Sequence, residues 1–416
     1  MAPSKRLLLL IPATSYRTAD FVEAALSLDV DLVIASERPD SMAVEFPDHL
    51  LGLPFADPAE AARQMREYAA RRPIDAVVPV DDLTTVVGAV IAEALGVRSN
   101  PVAAVSATRN KLRMRERLAQ AGVRCPSFTA FSADEDPQVA ARRVPFPCVL
   151  KTLTLSASRG VIRADDAAGF VTAFKRIAAI LAAPDVKDLG PGTDRILVEG
   201  FIPGREVALE GLLDGGALKT LALFDKPDPL DGPFFEETIY VTPSRLPEGV
   251  QSAVRESAAQ AAKALGLFDG PVHAEIRVDP DGPQPHPVIV EVAARSIGGL
   301  CSRTLSFGTG MSLEEIILRH ALGLPIASLE REGCAAGVMM IPIPGRGILQ
   351  DVAGLEEARQ VPGIEDVTIS LLKGQEVVPL PEGSRYLGFI FSRADTPAGA
   401  EAVLRHAHRH LRFTIR

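Results

Sequence analysis

The first hundred residues alternate between near-continuous apolar runs and helical stretches, which limits the chain to few architectures. "RLLLLIP" is followed by the helical "TADFVEAALSL" and then by "VDLVIAS". The helix "DPAEAARQMREYAARR" leads to "IDAVVPV", and "LTTVVGAVIAEALG" reads as the next helix. Strands that are apolar on both faces must be covered on both faces, so the pattern predicts a parallel sheet between helices. The leucine run behind Lys5 and Arg6 imitates a signal peptide, but it is short and Pro12 follows at once. Leu7 to Ile11 is therefore expected to be the first buried strand. No G-x-G-x-x-G follows it, which argues against a dinucleotide site there.

Beyond residue 107 the pattern changes. "TRNKLRMRERLAQAGVRCPSF" reads as a basic helix stopped by Gly122 and Pro126. Strands "PCVLKTL" and "RILVEGFI" flank a helix around "AAGFVTAFKRIAAIL". From Arg205 the signal becomes antiparallel, with a hairpin turn at Asp214-Gly215-Gly216. A helix "VQSAVRESAAQAAKALG" precedes "VHAEIRV" and "VIVEVAAR", and a smaller α/β tail begins near Ala335. The expected units are an N-terminal parallel α/β domain (1–107), a central region (108–333) with a small subdomain at about 125–200, and a C-terminal α/β domain (334–416).

A net charge of −9 argues against a general nucleic-acid surface, which needs a basic stripe. Four dispersed cysteines form no CxxC pair, so neither zinc nor a disulfide framework is expected, and a reducing cytoplasm is the simplest setting. No run approaches the ~20 apolar residues of a membrane span.

Chemistry concentrates on "VHAEIRV" and "VIVEVAAR". Alternation puts His273, Glu275 and Arg277 on one face of the first strand, and Ile289, Glu291, Ala293 and Arg295 on one face of the second. In an antiparallel hairpin symmetric about Pro283, Glu275 faces Glu291 and His273 faces Ala293. Opposed carboxylates destabilise a ladder. A divalent cation such as Mg²⁺, held by one or two carboxylates plus substrate phosphates, relieves that repulsion; two solvated surface glutamates are the plainer alternative. A phosphate-binding element is suggested upstream, where "FPCVLKTLTLSASRGV" ends a strand in Lys151 and continues as a loop of small residues to Gly160. The loop is not a Walker A motif.

The order of Lys111, Lys151 with its loop, "ILVEGFIPGREVALEG", "HAEIR" and "EVAARSIGG" resembles the ATP-grasp superfamily of carboxylate–amine ligases over nearly the whole chain. "DKPDPLDGPFFEETIYVTPSRLP" and "LPEGSRYLGFIFSRADTP" are similar to segments of its L-amino acid (dipeptide) ligases. The resemblance implies an ATP-grasp fold in which two α/β subdomains clamp ATP. Lys111 and Lys151 would contact phosphates beneath the loop bearing Ser156, Ser158 and Gly160. Glu199, Gly200 and Phe201 would line the adenine pocket, and Glu206 would accept the ribose hydroxyls. Glu275 and Glu291 would hold one or two Mg²⁺ ions, with Mn²⁺ as a substitute. Arg295 and Lys151 would be catalytic, Arg295 meeting the acyl-phosphate. Glu237, or failing it Glu236, would bind the substrate's α-ammonium, with Gly298 and Gly299 near the substrate. Selectivity would lie around Phe234, Glu237 and the turn after Arg295.

Asp225 and Lys226 fall near the phosphate end in relatives, a turn salt bridge being the alternative. Relatives often place Asn, a further metal ligand, where this chain has Ala293; His273 or water could fill that gap, a merely structural His273 being the plainer reading. His406, His408 and His410 imitate a metal cluster, but helical spacing turns His408 away from the other two. The expected activity is ATP-dependent joining of an amino-acid carboxylate to an amine through an acyl-phosphate. The alternatives are a carboxylase or transformylase of the same architecture, or an inert nucleotide-binding regulatory protein. Partners would be small molecules, neither nucleic acid nor membrane, and a homodimer is possible.

Overall fold

A computed structural model describes residues 4–39, 50–187, 192–279 and 286–416. The strand–helix alternation folds as the pattern predicts. Strands Leu50–Gly52, Asp31–Ser36, Arg6–Leu10 and Ala76–Pro79 lie side by side in that order, all parallel. Leu7 and Leu9 pack into one core with Phe21, while Leu8 and Leu10 pack into another with Met65 and Ile91. The run is continuous because both faces are buried, and each leucine contributes roughly 1.5–3 kcal/mol of burial. Residues after the strand ends, Tyr16, Arg17 and Asp82 at a helix start, contact Gly299, Ser296 and Arg295 just beyond a strand of the next sheet.

That sheet has eight strands. Its order is Val288–Ala293, Gly270–Val278, Arg205–Asp214, Ala217–Asp225, Ile239–Thr242, Ala335–Ile341, Gly388–Ala394 and Ile364–Ile369. The helix Glu248–Leu265 packs on one face through Val250, Val254 and Leu265. Asp214 pairs with Ala217 across Gly215 and Gly216, which take φ of +58° and +85°, the two left-handed residues of a tight hairpin turn. The tail shares this sheet: Ala335–Ile341 pairs with Ile239–Thr242, and the helix Pro397–His408 covers it through Ala400, Leu404 and Ala407.

The subdomain expected near 125–200 has its own four-stranded sheet, Phe128–Ser132, Arg195–Gly200, Cys148–Thr152 and Val161–Ala164, in that order. Its core is built on Phe131, Phe170 and Phe174, which meet edge-on or tilted. The basic stretch forms the helix Lys111–Gln120, after a short separate helix Val102–Thr108. Asn110 starts it, because its side-chain oxygen accepts from the Arg113 N–H and caps the helix. Lys111 therefore stands at a helix start, beside the loop after Lys151.

Candidate active site

The two glutamate strands pair as a symmetric hairpin predicts. Glu275 faces Glu291 and His273 faces Ala293. Beyond that point the symmetric register fails, because a one-residue bulge puts Ile276 opposite Ile289 and Arg277 opposite Val288. Pro283, the expected centre, lies outside the described residues. The bulge corrects one expectation: Ile289 does not share a face with Glu291 but lies in the core, while Val290 and Glu291 line the cleft. The Val290 carbonyl accepts from Arg115.

The cleft lies between the Phe128–Gly200 subdomain and the large sheet. Lys111, Lys151, Ser156, Ser158, Glu199, Gly200, Phe201, Glu206, Glu237, Glu275 and Glu291 all line it. Ala157 and Ser158 both have positive φ (+52° and +55°), so the loop is locally left-handed where it meets the cleft. Lys111 Nζ donates to the Leu155 carbonyl at 2.7 Å and lies 3.9 Å from Glu291. Burial lowers its pKa, and Glu291 opposes that shift.

Several expected roles meet competing partners. Gly160 does not line the cleft; its N–H donates to the Pro381 carbonyl of the C-terminal region. The N–H groups of Gly200 and Phe201 donate to Ser127 and Pro147, so neither is free for a base edge. Glu199, 2% exposed, accepts from Arg115 Nε at 2.6 Å and pairs with Lys151 Nζ at 2.8 Å. Burial pushes its carboxyl up, but the two cations outweigh burial and hold it at about 2. It anchors Lys151. Glu206 sits 2.8 Å from Lys226 and 3.5 Å from Arg277.

Of the paired glutamates in "FFEE", Glu237 faces the cleft and bonds Lys226 at 2.7 Å, whereas Glu236 turns to the Ile343 backbone. Phe234 packs against the subdomain core, and Phe235 takes its place in the cleft lining. The His406 and His410 rings lie 5.3 Å apart, tilted to one another, without His408, as helical spacing requires.

Arg295 does not line the cleft. Its guanidinium donates to Asp82 at 2.8 Å and to the Ser296 carbonyl at 2.8 Å. Asp82 also pairs with Arg109 at 3.1 Å. Burial would raise Asp82, yet Arg295 and Arg109 hold it well below the carboxylate range. The glycine turn is pinned by Tyr16, whose hydroxyl accepts from the Gly299 N–H at 2.7 Å. Gly299 has φ +62°, a left-handed conformation that favours glycine, and a Cβ there would lie 2.5 Å from Met340 Sδ and push that side chain aside. Beneath the turn, Glu210 is fully buried, accepts from the Ile297 N–H at 2.9 Å and lies 3.5 Å from His273.

Sequence reasoning missed Asp82, Arg109, Arg115, Tyr16 and Glu210. For Asp82 a signal existed: "VPVDDL" places two aspartates at the carboxyl end of a parallel strand, where α/β sheets bind ligands.

The chain matches three families in order: ATP-grasp N-terminal domain (22–97), ATP-grasp domain (144–304) and L-amino acid ligase C-terminal domain 2 (339–416). The chain carries an ATP-grasp domain and takes the ATP-grasp fold. This ATP-grasp chain superimposes on an L-amino acid ligase from Bacillus licheniformis with a TM-score of 0.84, at 28% identity and with all of both chains covered. It is 26% identical to the alanine–anticapsin ligase of Bacillus subtilis (strain 168), over 68% of its own length and 60% of that enzyme's. It is 28% identical to carnosine synthase 1 of Gallus gallus, over 64% of its own length and 29% of the synthase's. The chain thus spans less than two thirds of either enzyme's length. Among the described residues, no helix is long and apolar enough to cross a membrane.

Proposed function

We propose that this ATP-grasp chain joins an amino-acid carboxylate to an amine, most simply that of a second amino acid, at the expense of ATP. The reading rests on one arrangement: Lys111, Lys151, Glu275 and Glu291 share a cleft, and Arg295, held by Asp82, feels the charge of Glu291. The similarity to ligases that act on alanine and L-amino acids supports the same reaction class.

A divalent cation fits the donor set, because Glu275 and Glu291 are opposed hard-oxygen ligands beside two lysines. Held there, Mg²⁺ would neutralise phosphate charge. Ala293 offers no ligand, and His273, its cross-strand neighbour, lies 3.6 Å from Glu275. Lys111 and Lys151 bind phosphate oxygens, and the Glu199–Arg115 pair fixes where Lys151 points. The substrate carboxylate attacks the γ-phosphorus, the bond to the β-phosphate oxygen breaks, and ADP leaves. Arg295 receives the acyl-phosphate in its donor fork, which Asp82 and the Ser296 carbonyl hold in place. The amine nitrogen then attacks the acyl carbon and loses a proton as phosphate departs. The small-residue loop excludes water that would hydrolyse the intermediate.

Phosphate release over a matrix of amino-acid pairs with ATP and Mg²⁺, with product masses measured, tests the reading. The expected product weighs the sum of two amino acids minus water. Glu291→Ala should abolish ADP release and leave the fold intact; near-normal turnover would remove its metal role.

A further inference from the structure

Lys226 follows the strand Ala217–Asp225, and its side chain is only 3% exposed. Its Nζ lies 2.8 Å from Glu206 Oε1, 2.7 Å from Glu237 Oε1 and 3.0 Å from Glu275 Oε1. An ammonium carries three N–H donors, and each of these has its own carboxylate. The same three carboxylates each offer one oxygen within 4.8 Å of the others, a spacing that suits a cation. The cation there is the protein's own lysine.

Under the proposed reaction these glutamates have different ligands: the ribose for Glu206, the α-ammonium for Glu237 and the metal for Glu275. Lys226 already takes the Oε1 oxygen of all three, so a cation arriving at any of them meets its ammonium. Removing Lys226 alone would leave three buried carboxylates together. Among the described residues Arg277, 3.5 Å from Glu206, and His273, 3.6 Å from Glu275, would compensate in part, and Glu237, which burial raises to about 7, hydrogen-bonds Glu275. A neutral ligand cannot restore that charge, whereas a divalent cation or a substrate ammonium can. The lysine's flexible four-carbon stem allows the head group to swing off without moving the strand.

We infer that Lys226 is a resident counter-cation, which the divalent metal and the substrate ammonium must displace to occupy Glu275 and Glu237. Because one ammonium bridges both, drawing it off either carboxylate loosens it from the other, which couples metal binding to amino-acid binding reciprocally. The identity of the incoming ammonium rests on the ligase reading; exchange with the metal does not.

The test measures Mn²⁺ binding to the full chain without nucleotide, following the free-ion electron paramagnetic resonance signal. Lys226→Met is expected to bind Mn²⁺ at least tenfold more tightly than the wild type, since the competing cation is gone. A second variant, Lys226→Met/Glu206→Gln, keeps the wild-type net charge in the cluster, so a gain there cannot come from added negative charge. It also spares the fold one unpaired buried carboxylate. Far-UV circular dichroism and melting establish that each variant is folded. A tenfold gain in the double variant supports the exchange. Affinity within twofold of wild type, or weaker, overturns it. If no amino-acid pair yields ADP yet the gain is seen, the ligase reading fails and the exchange stands. Ligation without the gain reduces Lys226 to a fixed structural ion pair.

Discussion

Replacing Glu199 by Gln probes the anchor of Lys151. Arg115 is fully buried, Glu199 is 2% exposed, and Lys151 is 8% exposed, so solvent screens this triad little. The Glu199 carboxyl sits at about 2 against an ordinary 4.5. At about 1.4 kcal/mol per pH unit, that difference corresponds to about 3 kcal/mol of stability at pH 7. Glutamine keeps the shape but leaves two buried cations without a counter-charge, for which a cost of about 3–5 kcal/mol is typical. The two routes agree. For a domain of this size, about 3 kcal/mol lowers the melting temperature by roughly 6–12 °C.

The pH dependence adds a second check. The folded value is depressed, so the contribution is complete above pH 4.5 and is lost as the pH falls through about 2. By linkage, less than half should remain at pH 3. Melting followed by far-UV circular dichroism at pH 7 and pH 3 measures both differences. Equal melting at pH 7, or a gap between wild type and Glu199→Gln that widens on acidification, refutes the reasoning.

Arg295→Lys keeps the charge but cannot span Asp82 and the Ser296 carbonyl as a fork, so ADP release with amino acids should fall about 10²–10³-fold. ATP binding, measured by calorimetry, should stay within a few-fold. Arg176 bonds both oxygens of Glu382, tying the small subdomain to the C-terminal region, but both side chains are about 40% exposed. Arg176→Ala should therefore change unfolding free energy by under about 1 kcal/mol, while hydrogen exchange at Gly160, whose N–H donates to Pro381, speeds up. Burial pushes the Cys148 thiol up to about 12, so at pH 8 only about one in 10⁴ is thiolate. It should resist disulfide-exchange reagents in the folded chain and react once urea unfolds it.

The parallel sheet was legible because period and burial coincide: Leu7–Leu10 are apolar without interruption, and each is fully buried. The opposition of Glu275 and Glu291 agrees with a hairpin symmetric about Pro283. Counting from the pairing nearer the turn, Arg277 with Val288, would put Glu275 opposite Val290; the bulge brings Glu291 into line. Counting could not reveal the bulge at Val290, since nothing local marks an extra residue in "VIVEVAA". The extra residue is tied to a distant group, Arg115, which takes the Val290 carbonyl.

The sequence by itself determined the element types and the residues that carry charge into the cleft, since both follow from local periodicity and side-chain chemistry. Tertiary structure alone decided the partners. Glu199 became an anchor because Arg115, 84 residues away, is buried against it. Asp82 reached Arg295 across 213 residues because a helix start after one sheet's strand contacts the residues just beyond another's. Lys226 met three glutamates from separate strands and loops, and a buried ammonium must find one acceptor for each of its protons. Buried charges must be paired wherever the fold brings them, and that pairing obeys distances in space rather than spacing along the chain.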